Sequence, residues 1–297
     1  MQGIINVYKP QDFTSHDCVA IVRRVSGVKK TGHTGTLDPM ATGVLPVCIG
    51  KATRVIQYMD EDTKEYICTM KLGLRTDTLD VWGSVLEEKP AVSVTKEEAV
   101  QVLKTFEGRI SQTPPKYSAI KVNGKKLYEY ARAGKDVEIK PREVVIHKID
   151  VLDVTGETIK FRMCCGKGTY VRSVCDDAGR IFGCGAAMSS LVRSRNGMFS
   201  IDDAVDIRDI KEMTAEELEK LLTRMDDAVS FRKIYVSGKA AEDLTDGKRP
   251  RAGQASDAGS LNENEKLRIY HNDDFIGICR YEDGLIIPEK IFSTKNK

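Results

Sequence analysis

The sequence predicts an α+β protein built on a mixed, largely antiparallel sheet and followed by a small all-β unit. Three observations predict it. Residues 64–73, KEYICTMKLG, alternate, placing Tyr66, Cys68, Met70 and Leu72 on one face, which is the two-residue period of a strand. Helices are marked by capping boxes, Thr95 with Glu98 and Thr214 with Glu217, each followed by apolar residues three and four apart. After about residue 230 the chain turns to short strands separated by turn residues, as in KLRIYHNDDFIGICRYEDGLIIPEKIF.

Taken in order, GIINVYKP reads as a short strand ended by Pro10. Thr14 or Ser15 then caps a helix, SHDCVAIVRRVSG, with Val19, Val22 and Val25 at helical spacing and Gly27 as its stop. The stretch TGHTGTLDP is a glycine-rich loop, and GVLPVCIG after it is an apolar strand. Beyond the strand at 64–73, VTKEEAVQVLKTFEG forms a helix burying Ala99, Val102, Leu103 and Phe106, with Gly108 ending it. Segment 109–142 lacks periodicity and is expected to be an exposed, partly mobile excursion. EVVIHKIDVLDV and TIKFRMCC read as two strands joined near Thr155 and Gly156. A helix over 170–182 sets Val171, Val174, Cys175 and Ala178 on one side, and AEELEKLL forms a further helix.

The chain's 297 residues suffice for two domains, and a 41% apolar fraction for a sizeable core. No run approaches the ~18 apolar residues of a membrane span. The N-terminus lacks a signal peptide's basic start and apolar stretch, so a cytoplasmic location is expected. Eight cysteines include the adjacent Cys164 and Cys165 but no Cys-x-x-Cys, and are expected to be buried, reduced thiols. No metal site is expected. Neither is a cofactor. Gly43, Gly50, Lys51 and Ala52 fail the phosphate-loop spacing, and Asp77, Asp80 and Gly83 fail that of a calcium loop.

The formal charge of +2 favours no partner class, but its distribution is uneven. KYSAIKVNGKK carries Lys116, Lys121, Lys125 and Lys126 beside Tyr117 with no acid, and CGKGTYVR and SLVRSRNG add local basic sites. Such clusters suit a phosphate backbone, or are simply solvated loops. Asp38 stands before Pro39, which pushes it toward extended geometry and projects its side chain from the loop. It either closes an Asx turn or serves chemistry.

GHTGTLDPMATGVLPVCIGKATR resembles the signature of the TruB family of tRNA pseudouridine synthases. The resemblance continues in KEYICTMKLGLRTDTLDVWG, TPPKYSAIKVNGKKLYEYAR, GTYVRSVCDDAG and CGAAMSSLVRSRNGMF, and covers nearly all of residues 1–230. It implies the pseudouridine synthase fold in 1–230, with 109–142 as a mobile thumb, and a PUA-type, β-barrel-like RNA-binding domain in 231–297. The implied activity is isomerisation of uridine-55 in the T-loop of tRNA, by eversion of the base and aspartate-dependent cleavage and re-formation of the glycosidic bond. The resemblance implies that Asp38 is the catalytic carboxylate and that Arg172 lies against it. It further implies that His33 enters the T-loop, Tyr66 packs on the uracil, Tyr170 neighbours the site and Leu191 lines the base pocket. Lys116, Lys121, Lys125 and Lys126 become phosphate contacts. A monomer acting on the tRNA T-stem-loop without an obligatory protein partner is expected. An RNA chaperone without turnover and the catalytic subunit of a guide-RNA-dependent particle are the competing readings.

Overall fold

Pro10 ends the first strand, β1 (Gly3–Lys9), and a capping box of Thr14 with Asp17 starts α1 (Ser15–Ser26). Gly27 closes that helix at φ 66°, a left-handed position that favours glycine. The structure is a computed structural model and describes residues 1–59, 63–256 and 258–292. The stretch expected to be wholly loop contains β2 (Thr31–His33), paired antiparallel with the end of β3 (Thr42–Ile49). Only 34–41 remains as the loop that carries Asp38. In β4 (Lys64–Leu72) the expected row of Tyr66, Cys68, Met70 and Leu72 is buried.

Next, β5 (Leu74–Thr76) and β6 (Val85–Glu88) make a separate two-stranded ribbon. The helix α2 (Lys96–Lys104) begins at the Thr95–Glu98 box but ends before Gly108, which at φ 98° opens β7 (Gly108–Gln112) instead. That strand belongs to the main sheet, so residues 109–112 are not part of the excursion. The excursion proper holds β8 (Lys121–Val122), β9 (Lys125–Lys126) and α3 (Leu127–Arg132). The expected hairpin is β10 (Arg142–Thr155) with β11 (Thr158–Cys165), followed by α4 (Val171–Phe182). Sequence reasoning missed β12 (Ala186–Asn196) altogether. Its register shifts at Met188/Ser190 and Arg193/Arg195, and two bulges destroy the alternation by which a strand is read. Short pieces complete this part: β13 (Phe199–Ser200), β14 (Val205–Asp206), α5 (Ile207–Ile210) and α6 (Ala215–Lys220).

The main sheet runs β14-β1-β3-β12-β4-β11-β10-β7, with β2 on β3 and β13 on β12. It is mixed and largely antiparallel, as expected; β12 with β3 and β1 with β14 are the parallel pairs. One face takes the apolar sides of α1, α2 and α4, packing Val22, Leu103 and Val174 onto Val47, Cys68 and Phe161. Seven cysteines are buried and Cys164 is half-buried.

The C-terminal unit is not all-β, because α7 (Gly238–Thr245) follows β15 (Arg232–Val236). Ser237 caps this short helix, whose Ala240, Ala241 and Leu244 are buried. Then come β16 (Ala255–Ser256), β17 (Lys266–His271), β18 (Asp274–Glu282) and β19 (Leu285–Ile291). The sheet order is β16-β15-β17-β18-β19, without barrel closure among the described residues. Its two edges are nonetheless drawn together, by Ala252 N donating to Gly284 O and Ile286 N to Pro250 O, both 2.9 Å. Residues 293–297 of the predicted unit lie outside the described residues. This unit packs on the second face of the main sheet, where Tyr270, Phe275, Ile278 and Phe292 share one apolar cluster with Ile4, Val44 and Cys48.

Candidate active site

The Asp38 loop is held from both sides. Before it, the Ser15 hydroxyl accepts from Leu37 N at 2.9 Å and donates to Leu37 O at 3.1 Å. After it, Lys9 Nζ donates to Pro39 O at 3.0 Å, and also to Pro10 O and Phe13 O. Lys9 is fully buried, and that burial pushes its ammonium down to about 8. These anchors fix the backbone of the loop and leave the Asp38 side chain to project.

That side chain does not turn back on its own loop. Among the described residues its partner is Arg172, whose Nη2 lies 3.0 Å from Oδ2. Arg172 is the second residue of α4, and its buried guanidinium is held by four groups. Nη1 donates to Thr78 O at 2.8 Å and Nη2 to Tyr117 O at 3.0 Å, while Asp80 Oδ2 stands 3.6 Å from Nη1. In the sequence Asp80 stands out only within the failed calcium spacing; its ion pair with Arg172 has no signal in the local pattern.

Tyr170, at the start of α4, is tied to the end of β7 through Gln112. Its N–H donates to Gln112 Oε1 at 2.8 Å, and its carbonyl accepts from Gln112 Nε2 at 3.0 Å. Burial pushes the Tyr170 phenol up. Burial does the same to Tyr66, with the neighbouring Arg193 guanidinium working against it. Leu191 stands beside Tyr66 because β12 pairs with β4, Leu191 facing Cys68 and Arg193 facing Tyr66.

Asp38, Tyr66, Tyr170, Arg172 and Leu191 thus line one cleft of about 360 Å³. Tyr117, Ser118, Ala119 and Tyr128 of the excursion form another part of its wall. The other predicted site residues lie outside it. His33 ends β2, where its ring meets that of His16 edge-on at 5.6 Å and its Nδ1 accepts from Gly35 N at 3.2 Å. Burial, then His16 and Arg193, push its imidazole down to about 4. Lys121, Lys125 and Lys126 sit on the β8–β9 hairpin, with Lys126 Nζ 5.4 Å from the Tyr128 ring centre. Lys116 pairs with Asp136 at 2.8 Å.

Each of the two small basic sites read from the sequence is split, with Lys167 and Arg195 exposed and Arg172 and Arg193 buried. Arg172 is the cation of the ion pair, and Arg193 is only 1% exposed. Arg193 lines the cleft, donating Nε to Val44 O at 2.7 Å and Nη2 to Gly35 O at 3.0 Å. Lys64, at the start of β4, is a further cation of the cleft.

Chemically, this is a reachable carboxylate backed by a shielded cation, in a cleft that aromatic and apolar side chains also line. Residues 23–171 match the model of the TruB family pseudouridylate synthase N-terminal domain, and 172–230 that of the tRNA pseudouridylate synthase B C-terminal domain. The chain is 42% identical over 279 residues to tRNA pseudouridine synthase B of Clostridium tetani, covering 94% of this chain and 95% of that protein. Against its counterpart in Clostridium perfringens the identity is 43% over 294 residues, covering 98% and 99%. Among solved structures, a Cbf5-Nop10-Gar1 complex matches at TM-score 0.77 and 27% identity, over 99% of this chain and 86% of that one. An H/ACA RNP bound to a substrate RNA containing 2′-deoxyuridine matches at TM-score 0.75 and 25% identity, with the same coverage. The chain belongs to the TruB family of pseudouridylate synthases.

Proposed function

We infer that this chain isomerises uridine to pseudouridine in tRNA, at position 55 of the T-loop, with the base everted into the Asp38 cleft. The observation that carries this reading is the Asp38–Arg172 ion pair at 3.0 Å, set in a cleft that Tyr66 and Leu191 also line. A protein that only bound RNA would have no use for a carboxylate held in that position.

The reaction breaks the C1′–N1 bond, turns the uracil and rejoins it through C5. It oxidises and consumes nothing, so it calls for no cofactor. Asp38 serves as nucleophile or base, and Arg172 keeps a fixed positive charge beside it. Everting a stacked nucleotide costs a few kcal/mol. Stacking on an aromatic ring returns about 1–3 kcal/mol per base, a task we give to Tyr66, with Leu191 bounding the slot. Tyr170 closes the wall next to Arg172. His33, neutral and outside the cleft, suits a wedge in the loop from which the base departs. Lys116, Lys121, Lys125 and Lys126 meet phosphates as the thumb, which β7 and β10 confine to 113–141, closes over the RNA, and the C-terminal unit, 231–297, adds PUA-type RNA contacts.

We further propose that the chain works in the cytoplasm as a monomer that recruits no protein partner, unlike the Cbf5 assemblies it resembles. Near-complete coverage of the two clostridial tRNA pseudouridine synthase B proteins supports this. No helix among the described residues is long and apolar enough to cross a membrane. The test is to incubate the purified chain alone with an unmodified T-stem-loop and map pseudouridine, with light scattering for the mass in solution. Modification at the loop uridine is expected. An unmodified loop, or turnover only after a guide RNA is added, overturns the reading.

A further inference from the structure

The buried guanidinium of Arg193 has no task in the chemistry of Asp38 and Arg172. It sits at a node of the main sheet, where the Arg193 backbone faces Gly43 of β3 on one side and Tyr66 of β4 on the other. The strands approach so closely that a Cβ on Gly43 would lie 2.2 Å from the Arg193 carbonyl oxygen, which fixes where this side chain starts. Its hydrogen bonds go to neutral groups, the carbonyls of Val44 and Gly35 and the phenol of Tyr66. Among the described residues no carboxylate lies within ion-pair distance of it. A buried charge without a counter-charge is unfavourable, so an anion entering the cleft would be strongly welcomed. Glycine at 35 keeps the approach clear: a Cβ there would stand 3.7 Å from Arg193 Nη1 and 3.5 Å from Lys64 Nζ.

Pseudouridine formation creates such an anion. When the C1′–N1 bond breaks, the electron pair leaves with the uracil and spreads over N1, O2 and O4. The deficit on the sugar is met by Asp38, which either bonds to C1′ or takes the C2′ proton. We propose that Arg193 is a catalytic residue that receives the departing uracil anion, lowering the barrier to bond cleavage rather than capturing the RNA. This rests on the pseudouridine synthase reading of the cleft. The two guanidiniums then divide the labour: Arg172 holds the carboxylate, and Arg193 meets the charge that develops on the base.

The test compares R193M and R193K with the parent in single-turnover glycosidic cleavage, on T-stem-loops carrying either uridine or 5-fluorouridine at the target. Fluorine makes the base a better leaving group that needs less help. R193M is expected to slow the uridine loop by about 10²–10³-fold, as for loss of one transition-state donor, with tRNA affinity kept. R193K should recover part of the loss, and both variants should show a smaller defect on the fluorinated loop. The ratio of the two rates within one preparation does not depend on the folded fraction. Equal defects on both loops, or reduced affinity with parental cleavage, would overturn the assignment. So would failure of both variants to fold, which would mark Arg193 as a structural tie. A parent inactive on both loops would instead sink the synthase reading itself.

Discussion

The Asp38 side chain is 41% exposed, whereas Arg172 behind it is only 6% exposed. The carboxylate can therefore meet a substrate while the cation stays out of reach of salt and water. Asp38→Asn keeps the volume and removes the charge. It should lower the single-turnover rate by ~10²–10⁴-fold or more, with filter-binding affinity for tRNA unchanged. Tyr66→Leu should impair turnover more than initial binding, measured in the same pair of assays. His33 gives a pH signature. Its imidazole titrates near 4 when folded and near 6.5 when unfolded, so between those values the unfolded chain holds the extra proton. Stability should be complete above 6.5 and decline as pH falls toward 4, and His33→Gln should flatten that part of the melting-temperature profile. Asp38 and Arg172 were legible in the sequence because they lie in long, ordered motifs. Lys9, Asp80 and Arg193 were not. Asp80 and Arg193 act on partners far away in the chain, Lys9 reaches Pro39 as well as its neighbours Pro10 and Phe13, and nothing local distinguishes a buried cation from a solvated one.

At the scale of elements, the hairpin β8–β9 presents Lys121 and Lys125 to solvent, whereas Lys116 is already paired with Asp136. Neutralising Lys121 or Lys125 with glutamine should reduce the salt slope of tRNA binding by about one for each phosphate left without its lysine. Lys116→Gln should change it less, because that lysine must first leave its carboxylate. Titrations across a salt series measure both. Most helices and hairpins were readable, since capping boxes and turn glycines are local signals. In β2 and β12 the local signal was weak and the tertiary setting decided, whereas α7 does carry a local signal, the Ser237 cap ahead of Ala240, Ala241 and Leu244. Three residues of β2 form a strand only because the edge of β3 is open to them, and Gly108 starts a strand rather than stopping a helix because β10 lies alongside.

The whole molecule is organised by a sheet covered on both faces. GVLPVCI in β3 is apolar without alternation, the pattern of a doubly buried strand, yet no pattern names what covers the second face. The cover is the C-terminal unit. Phe292 stacks on Phe275 with ring centres 5.3 Å apart, Arg54 stands 5.0 Å from the Phe292 ring centre, and Lys51 Nζ donates to Phe292 O at 3.0 Å. Phe292→Ala should therefore cost about 3–5 kcal/mol in urea unfolding, as for other buried aromatics. Removing 231–297 should weaken tRNA binding and lower the melting temperature together, leaving turnover measurable at high enzyme concentration below that temperature.

Arg193 of β12 bonds across to Val44 of β3 from 149 positions along the chain. At ~5–20 residues per second, a ribosome needs roughly 7–30 s to supply that distance. For most of this interval the nascent polypeptide carries Asp38 but not Arg172, the central strand is completed only at its end, and its first sticky strands wait unzipped. Each newly made copy thus passes through a chemically inert, aggregation-exposed infancy, during which chaperones rather than the fold must keep it from harm.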